Sequence, residues 1–288
     1  MITLIAAGYS WSLGLDPGLA IFVVSAANLV VVAIMEVIIP YRYDWVWWSD
    51  KQVVNDVVHG IALSVLGPQI GHILISGLVF SIASGLADHS GGSLWPVGWP
   101  IIAQLLLLVL VADFVEWGKH WFYHNNRFCW PIHVLHHNPT RLHITKAGRL
   151  HFLESAIRYV LLSAPFVALG APPELFFWYA ILLNTLGNLN HANVDVQIPG
   201  FVHYLLMTPQ NHRIHHSARL DQSGSNLGSA TPLPDLIFGT FRHPSSNTVE
   251  DVGITHDPVP KNVLGQLLAP FIWPLLKPKH QNQSGGME

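Results

Sequence analysis

Two pentapeptides of this chain carry three histidines in one and the same pattern: HVLHH at residues 133–137 and HRIHH at 212–216. On a helix, positions i, i+3 and i+4 share a face. His133, His136 and His137 therefore point one way, and so do His212, His215 and His216. Each group follows a helix-start signal. Pro131 suits a first helical turn, and Thr208-Pro209 reads as an N-cap followed by a first-turn proline. Two more histidines, His120 and His124, stand at i and i+4 in DFVEWGKHWFYH, a spacing that chelates one metal on other helices. His191, in NLNHANV, is the ninth of the set.

A lone histidine such as His59 or His256 reads as a core residue or a pH-sensitive surface group. Nine in four clusters do not. Imidazoles at that density repel one another when protonated, and neutral imidazole is a common metal ligand. About four to six ligands serve one transition ion, so nine or ten histidines suit two. Zinc takes four ligands and brings no redox chemistry, and carboxylate-rich di-iron sites belong to soluble bundles. Asp113 is the only acid on the box face and is expected to accept an imidazole N–H, fixing that ring's tautomer. Neutral ligands would leave the metal pair highly positive. Its oxidised state would then be electron-poor, suited to attacking strong C–H bonds.

The elements that must position these residues are apolar. Of 288 residues, half are hydrophobic and 11% are charged, against roughly 25% in an ordinary globular domain. Mean hydropathy is +0.37, the make-up of a membrane protein. The 18 histidines outnumber the 14 lysines and arginines, and the net charge of −3 offers nucleic acid no broad basic surface. Cys129 is the only cysteine, so no intrachain disulfide forms. The first residues are apolar but lack the basic n-region of a cleaved signal peptide.

Residues 17–40, 52–87 and 99–118 each supply the ~20 apolar residues of a membrane span. The second is overlong, is broken by Gly67-Pro68 and is expected to form one kinked span. Residues 152–190 are split by GAPPE at 170–174 and are expected to form a helical hairpin or re-entrant pair. Lysine and arginine gather between spans one and two, between three and four, and after residue 190. The positive-inside rule then puts every histidine box in the cytoplasm. The expectation is an all-α polytopic membrane protein, with about four to five transmembrane or re-entrant helices under a cytoplasmic histidine-rich helical cap. Residues 1–98 would be N-terminal transmembrane helices and 99–245 the catalytic domain. Residues 246–288 would form a tail with a membrane-surface segment and a disordered end, KPKHQNQSGGME.

The quoted segments resemble the fatty acid hydroxylase / sterol desaturase superfamily of membrane non-haem di-iron enzymes, over roughly residues 100–245. DFVEWGKHWFYH is similar to its first histidine box, CWPIHVLHHNPT to the second and NLNHANV to the isolated-histidine segment. TPQNHRIHH and SNLGSATPLPDLIFGTF are similar to the third box and the closing motif. The resemblance implies two irons held by His120, His124, His133, His136, His137, His191, His212, His215 and His216. His151, in GRLHFLES, matches a position often histidine in this superfamily and is a candidate tenth ligand. His203 stands where many relatives have an acid. With Asp113 and Asp235 it is expected in the layer around the ligands. Two positions depart from the pattern: Trp121 replaces an arginine after the first histidine, and Pro234 replaces a tryptophan before Asp235. Both leave the substrate class open.

The activity implied is oxidation of a lipid by dioxygen with two electrons from a separate donor, a cytochrome b5-, ferredoxin- or flavin-type reductase. Hydroxylation of a sterol, fatty acyl chain, ether lipid or carotenoid leads, and desaturation on the same site is the nearest rival. Substrate would enter from the bilayer, with FLESAIRYVLLSAPF and LFFWYAILL as apolar walls. The rival of another class is a non-catalytic or zinc-dependent metal-binding protein. A zinc hydrolase wants a carboxylate among the histidines as in HExxH, and Glu116 lies outside any such box.

Overall fold

A computed structural model describes Gly14 and residues 16–90 and 92–276. The first residues, expected to lack a signal peptide, and the tail at 277–288, expected to be disordered, lie outside the described residues. Nine α-helices run in chain order among the described residues: α1 (Pro17–Ile38), α2 (Val53–Ser90), α3 (Ile101–Asn125), α4 (Trp130–His137), α5 (Phe152–Ala168), α6 (Pro173–His191), α7 (Pro209–His215), α8 (Leu233–Phe238) and α9 (Val263–Leu276). Among the same residues there is no strand, only the isolated bridges Pro40–Val194 and Ser217–Val252. The all-helical membrane architecture expected from composition is the one observed.

Helix α1, the first part of α2 (Val53–Leu74) and α3 are long and apolar enough to cross a membrane. The expected kinked span at 52–87 is one continuous helix that runs through Pro68. Its 38 residues would extend about 57 Å at the helical rise, nearly twice the ~30 Å hydrocarbon core. It must tilt or pass beyond the membrane boundary. The expected hairpin at 152–190 is α5 and α6, joined at residues 169–172 with Gly170 at φ +84°.

Lipid gives packed helices little hydrophobic gain, so close backbone approach and polar pairs hold the bundle. A Cβ at Gly67 would overlap Ser155, and one at Gly71 would come within 2.8 Å of Tyr159 Cδ1. These two glycines, four apart, let α2 lie against α5, where Ser155 Oγ donates to the Leu63 carbonyl at 2.9 Å. Helix α1 meets α6 through Ala20, Val24, Phe177 and Ile181, and Asn188 Nδ2 donates to Asn28 Oδ1 at 2.8 Å. The largest core cluster joins α3 (Leu108, Ala112), α5 (Leu162, Phe166) and α6 (Leu175, Tyr179).

Two polar ties hold the cap on this bundle. Glu36 Oε1, at the end of α1, accepts the backbone N–H of Ile144 (2.7 Å) and of Asn193 (2.8 Å). The second is a buried ion cluster. Lys146 Nζ lies 2.7 Å from Asp50 Oδ2 and 2.6 Å from Asp56 Oδ2. Arg149 Nη1 donates to Asp56 Oδ1 at 2.7 Å, and Arg149 Nε to the Leu135 carbonyl at 3.2 Å. Asp50, Asp56 and His143 come close enough to hold a metal. Lys146 already supplies the cation there, so we read the cluster as structural. Burial opposes ionisation of Asp50, but hydrogen bonds from His143 and Lys146 outweigh it and lower its pKa.

Candidate metal centre

The nine histidines of the four sequence clusters come together, and they divide. One group holds His120, His124, His133, His137 and His215; the other holds His136, His191, His212 and His216. Within each, the candidate ligand atoms lie within 4.8 Å of one another. The twin pentapeptides explain the division. In α4, His133 and His137 (i, i+4) face the first group while His136 faces the second. In α7 and its C-cap the sharing is reversed: His212 and His216 (i, i+4) go to the second group and His215 to the first. Helix α3 completes the first group with His120 and His124, and the last residue of α6, His191, completes the second. His137 and His216, one from each pentapeptide, stack with ring centroids 4.5 Å apart where the groups meet.

Local chemistry builds both short helices as the sequence suggests. Pro131 sits in the first turn of α4. Pro209 opens α7, and the side chain of its N-cap, Thr208, accepts the Asn211 N–H at 3.2 Å.

The protonation states follow from burial. Burial first, and then neighbouring imidazoles, push the pKa values of His133, His137, His212 and His216 well below the usual value. His136 is shifted the same way. Burial lowers His215 to about 4, against a smaller opposing hydrogen bond to Ser225. Neutral rings carry one N–H and one lone pair each. In five of the nine rings the position of the N–H is set by an oxygen at Nδ1. His120 Nδ1 donates to the Leu227 carbonyl (2.9 Å), His191 Nδ1 to Gly187 (2.7 Å) and His215 Nδ1 to Ser225 (2.8 Å). His136 Nδ1 makes a longer bond to Arg149 (3.4 Å), and His133 Nδ1 donates to Glu154 Oε2 at 3.0 Å.

Those five Nε2 atoms therefore present lone pairs, and they face one another. His120 Nε2 is 3.0 Å from His133 Nε2, and His136 Nε2 is 3.1 Å from His191 Nε2. Neither pair has a proton to share. His124 Nε2 is buried and has no hydrogen-bond partner among the described residues. Facing lone pairs in a buried site need a cation between them, so the residues present fit bound metal in both groups. Spacing adds a second test. A metal about 2.1 Å from each nitrogen puts ligands at right angles roughly 3.0 Å apart and tetrahedral ones roughly 3.4 Å apart. Neighbouring Nε2 atoms here stand 2.9–3.1 Å apart, the spacing of the right-angled arrangement.

The remaining expected residues fall outside the two groups. Asp113 does not fix an imidazole, and that expectation is corrected. Its carboxylate accepts the backbone N–H of Ala230 (2.9 Å) and Thr231 (2.7 Å), so it anchors the closing segment to α3. Asp235 accepts the N–H of Leu227 and of Gly228, both at 2.8 Å. It thus supports the residue whose carbonyl takes His120. His203 Nδ1 lies 2.9 Å from Thr208 Oγ1 and 3.0 Å from Asn211 Oδ1, at the start of α7. His151 stands apart from both groups: Nδ1 accepts the Leu153 N–H at 3.2 Å as the N-cap of α5, and Nε2 donates to the Leu267 carbonyl at 3.0 Å. Glu116 belongs to neither histidine group. It pairs with Lys119 Nζ (3.0 Å) and Arg158 Nε (2.9 Å). The acid that does reach a candidate ligand is Glu154, to which the histidine spacing gives no pointer. Its signal in the sequence is a lone carboxylate in the first turn of a mostly apolar helix whose other charge is Arg158.

Comparison with known proteins points the same way. An ornithine lipid hydroxylase of Rhizobium tropici is 32% identical over 253 residues, covering 86% of this chain and 75% of that protein. An alkylglycerol monooxygenase of Xenopus tropicalis is 24% identical over 78% of this chain, and a very-long-chain aldehyde decarbonylase of Oryza sativa subsp. indica is 27% identical over 62%. The chain spans 48% and 31% of the length of those two. No solved structure matches it. The fatty acid hydroxylase family model matches residues 105–240, from within α3 to just past α8, and with the similarity to the Rhizobium protein over most of both chains this places the protein in the fatty acid hydroxylase family.

Proposed function

We propose that this protein is a membrane di-iron oxygenase. In this reading it hydroxylates an unactivated C–H bond of a lipid, using dioxygen and two electrons from a separate donor. The observation that carries the reading is the facing of unprotonated Nε2 atoms in two adjacent buried groups. His120, His124, His133, His137 and His215 would hold one iron, and His136, His191, His212 and His216 the other. When bound, the pair supplies redox chemistry that no side chain here provides: the reductive activation of dioxygen.

The chain's own residues do the rest. The carbonyls of Leu227, Gly187, Ser225 and Arg149, with Glu154, hold five imidazoles by Nδ1 and aim Nε2 inward. Asp235 and Asp113 fix the backbone segment that brings Leu227 and Ala230 to α3. The apolar faces of α3, α5 and α6 would position the lipid chain and exclude water. The spans and the lysine and arginine distribution favour a multi-pass arrangement with the histidine groups on the cytoplasmic side. The Rhizobium relative, an ornithine lipid hydroxylase, favours a lipid of that kind as substrate over a sterol or carotenoid. Desaturation on the same site differs only in the fate of the second hydrogen.

A zinc site is the weaker reading. Five histidines in one group exceed the four that zinc takes, and among the described residues no carboxylate joins either group as a general base. Metal analysis of purified protein tests the choice. Nine ligands in two groups lead to an expected content of about two irons per chain, with an absorption band bleached by reductant. Stoichiometric zinc without oxygen consumption would refute the oxygenase. Lipid profiling by mass spectrometry, comparing cells carrying the wild type with cells carrying His215→Ala, then identifies the product.

A further inference from the structure

Helix α9, VLGQLLAPFIWPLL, has two unlike faces and no charged residue. Its inner face carries Gln266, Ala269 and Trp273, all buried. Gln266 Oε1 lies 3.1 Å from His59 Nε2 on α2. Trp273 packs with Val134 and Leu135 of α4 and with Val259. The Leu267 carbonyl takes the His151 Nε2 hydrogen bond described above. The outer face is a stripe: Leu264 is 66% exposed, Leu268 43%, Phe271 64% and Leu275 84%. Steps of four, three and four place these side chains on one side of the helix.

Three observations identify what covers the stripe. First, it continues a lipid-facing surface. Gln266 also donates to Gln52 at 3.2 Å, just before α2 begins. There α2 exposes Val54, Val57, Val58 and Ile61 at the start of a membrane-spanning stretch. Second, α9 is too short to cross. Its 14 residues make about 21 Å against a hydrocarbon core of ~30 Å. Third, the sequence that follows it is cationic. Residues 277–288 carry Lys277 and Lys279 beside the helix and one acid, Glu288, at the far end, while before the helix Lys261 is paired with Asp257 at 2.8 Å. A cationic end of this kind suits anionic lipid headgroups.

We propose that α9 lies in the plane of the membrane surface on the histidine side. Leu264, Leu268, Phe271 and Leu275 sit among the upper acyl chains, and the cationic sequence after the helix favours a surface that carries lipid phosphates. The bilayer then backs the helix that holds α4, and α4 feeds both histidine groups. His151 gains a role in the same arrangement, because it ties the start of α5 to the anchored helix.

Spin labels test the placement. In a Cys129→Ser background, single cysteines replace Leu264, Leu268, Phe271, Leu275 and, as a water-facing control, the exposed Leu220. The labelled proteins are reconstituted in vesicles of phosphatidylcholine with a minority of phosphatidylglycerol. Labels on the stripe should collide more with dissolved oxygen than with an aqueous nickel chelate, and the label at 220 should show the reverse. A stripe open to nickel overturns the proposal. So does a stripe shielded from both reagents, which would mean a second copy or a protein partner covers it. The unmodified chain gives an independent reading. A phospholipid with a diazirine near its carbonyl should crosslink to the peptide containing 264–275, and absence of that adduct beside labelled α1 peptides overturns the proposal as well.

Discussion

The five-histidine group draws on α3, α4 and α7, and two of its members, His120 and His124, are only partly buried. One of its rings, His133, donates to an ionisable acceptor, Glu154. The four-histidine group draws on α4, α6 and α7 and is buried throughout. The outward hydrogen bonds of His136 and His191 go to neutral carbonyls. Two metals held this way would not be equivalent. One has a ligand to spare, a partial opening and an ionisable carboxyl, Glu154, that can bear on it. The other has a minimal, closed set of neutral ligands. Ligand number should govern which metal is lost first, and Glu154 should tune only one of them.

The largest effects come from shortening each set. His136→Ala leaves the four-histidine group with three ligands and the other group intact. His215→Ala takes the five-histidine group to four. Both should reduce turnover below detection while the protein still inserts in membranes. Iron content separates them: His136→Ala should fall towards one iron per chain, whereas His215→Ala should keep more of its second iron. Equal metal loss in the two variants would break the proposed difference.

Acid should act on both groups of the metal-free protein. His215 titrates at about 4 when folded, against 6.5 for a free histidine. Below 6.5 the unfolded chain takes up a proton that the folded chain refuses, so stability falls as pH drops from 6.5 to about 4 and levels off beneath. That one shift corresponds to ~3 kcal/mol. The lowered values of His133, His136, His137, His212 and His216 act in the same direction. Thermal unfolding across this window, with and without added ferrous iron, checks it. Metal-free protein whose midpoint does not move between pH 7 and 5 would contradict the neutral, buried rings.

Glu154→Gln sharpens the comparison without removing a ligand. The amide oxygen can still accept from His133 Nδ1, but the ionisable carboxyl is gone. Loss of such an outer partner typically weakens metal binding by about 10–100-fold. Titration of the metal-free variant should show one of two binding phases displaced by that factor and the other unmoved. Movement of both phases would mean that the groups share their electrostatics.

What the sequence made legible was local. Membrane character shows in composition. The faces of α4 and α7 show in spacings of three and four, and their starts in Pro131, Thr208 and Pro209, because a helix repeats within one turn. The partition of each pentapeptide between two groups was not legible. It depends on how α3, α4, α6 and α7 cross, and no single helix encodes that. The Nδ1 acceptors were hidden for another reason: Leu227, Gly187 and Ser225 act through backbone carbonyls, which any residue carries. Asp113 shared the histidine face in sequence, yet the closing segment offered its carboxylate two backbone N–H groups, and the helix end never brought it an imidazole.

The smallest expected effect concerns the line between nine ligands and ten. His151 resembles a ligand by position, but both of its ring nitrogens are engaged, one with the Leu153 N–H and one with the Leu267 carbonyl. Asparagine keeps a side-chain oxygen that can cap α5 and gives up the reach to Leu267. His151→Asn should therefore cost on the order of 1 kcal/mol, one hydrogen bond, seen as a small drop in melting temperature. Iron per chain should stay at the wild-type value, and so should both binding phases. A ligand cannot be removed so quietly. If iron content falls with His151→Asn as it does with His136→Ala, then His151 moves to a metal in the loaded protein and its cap on α5 belongs to the metal-free form alone.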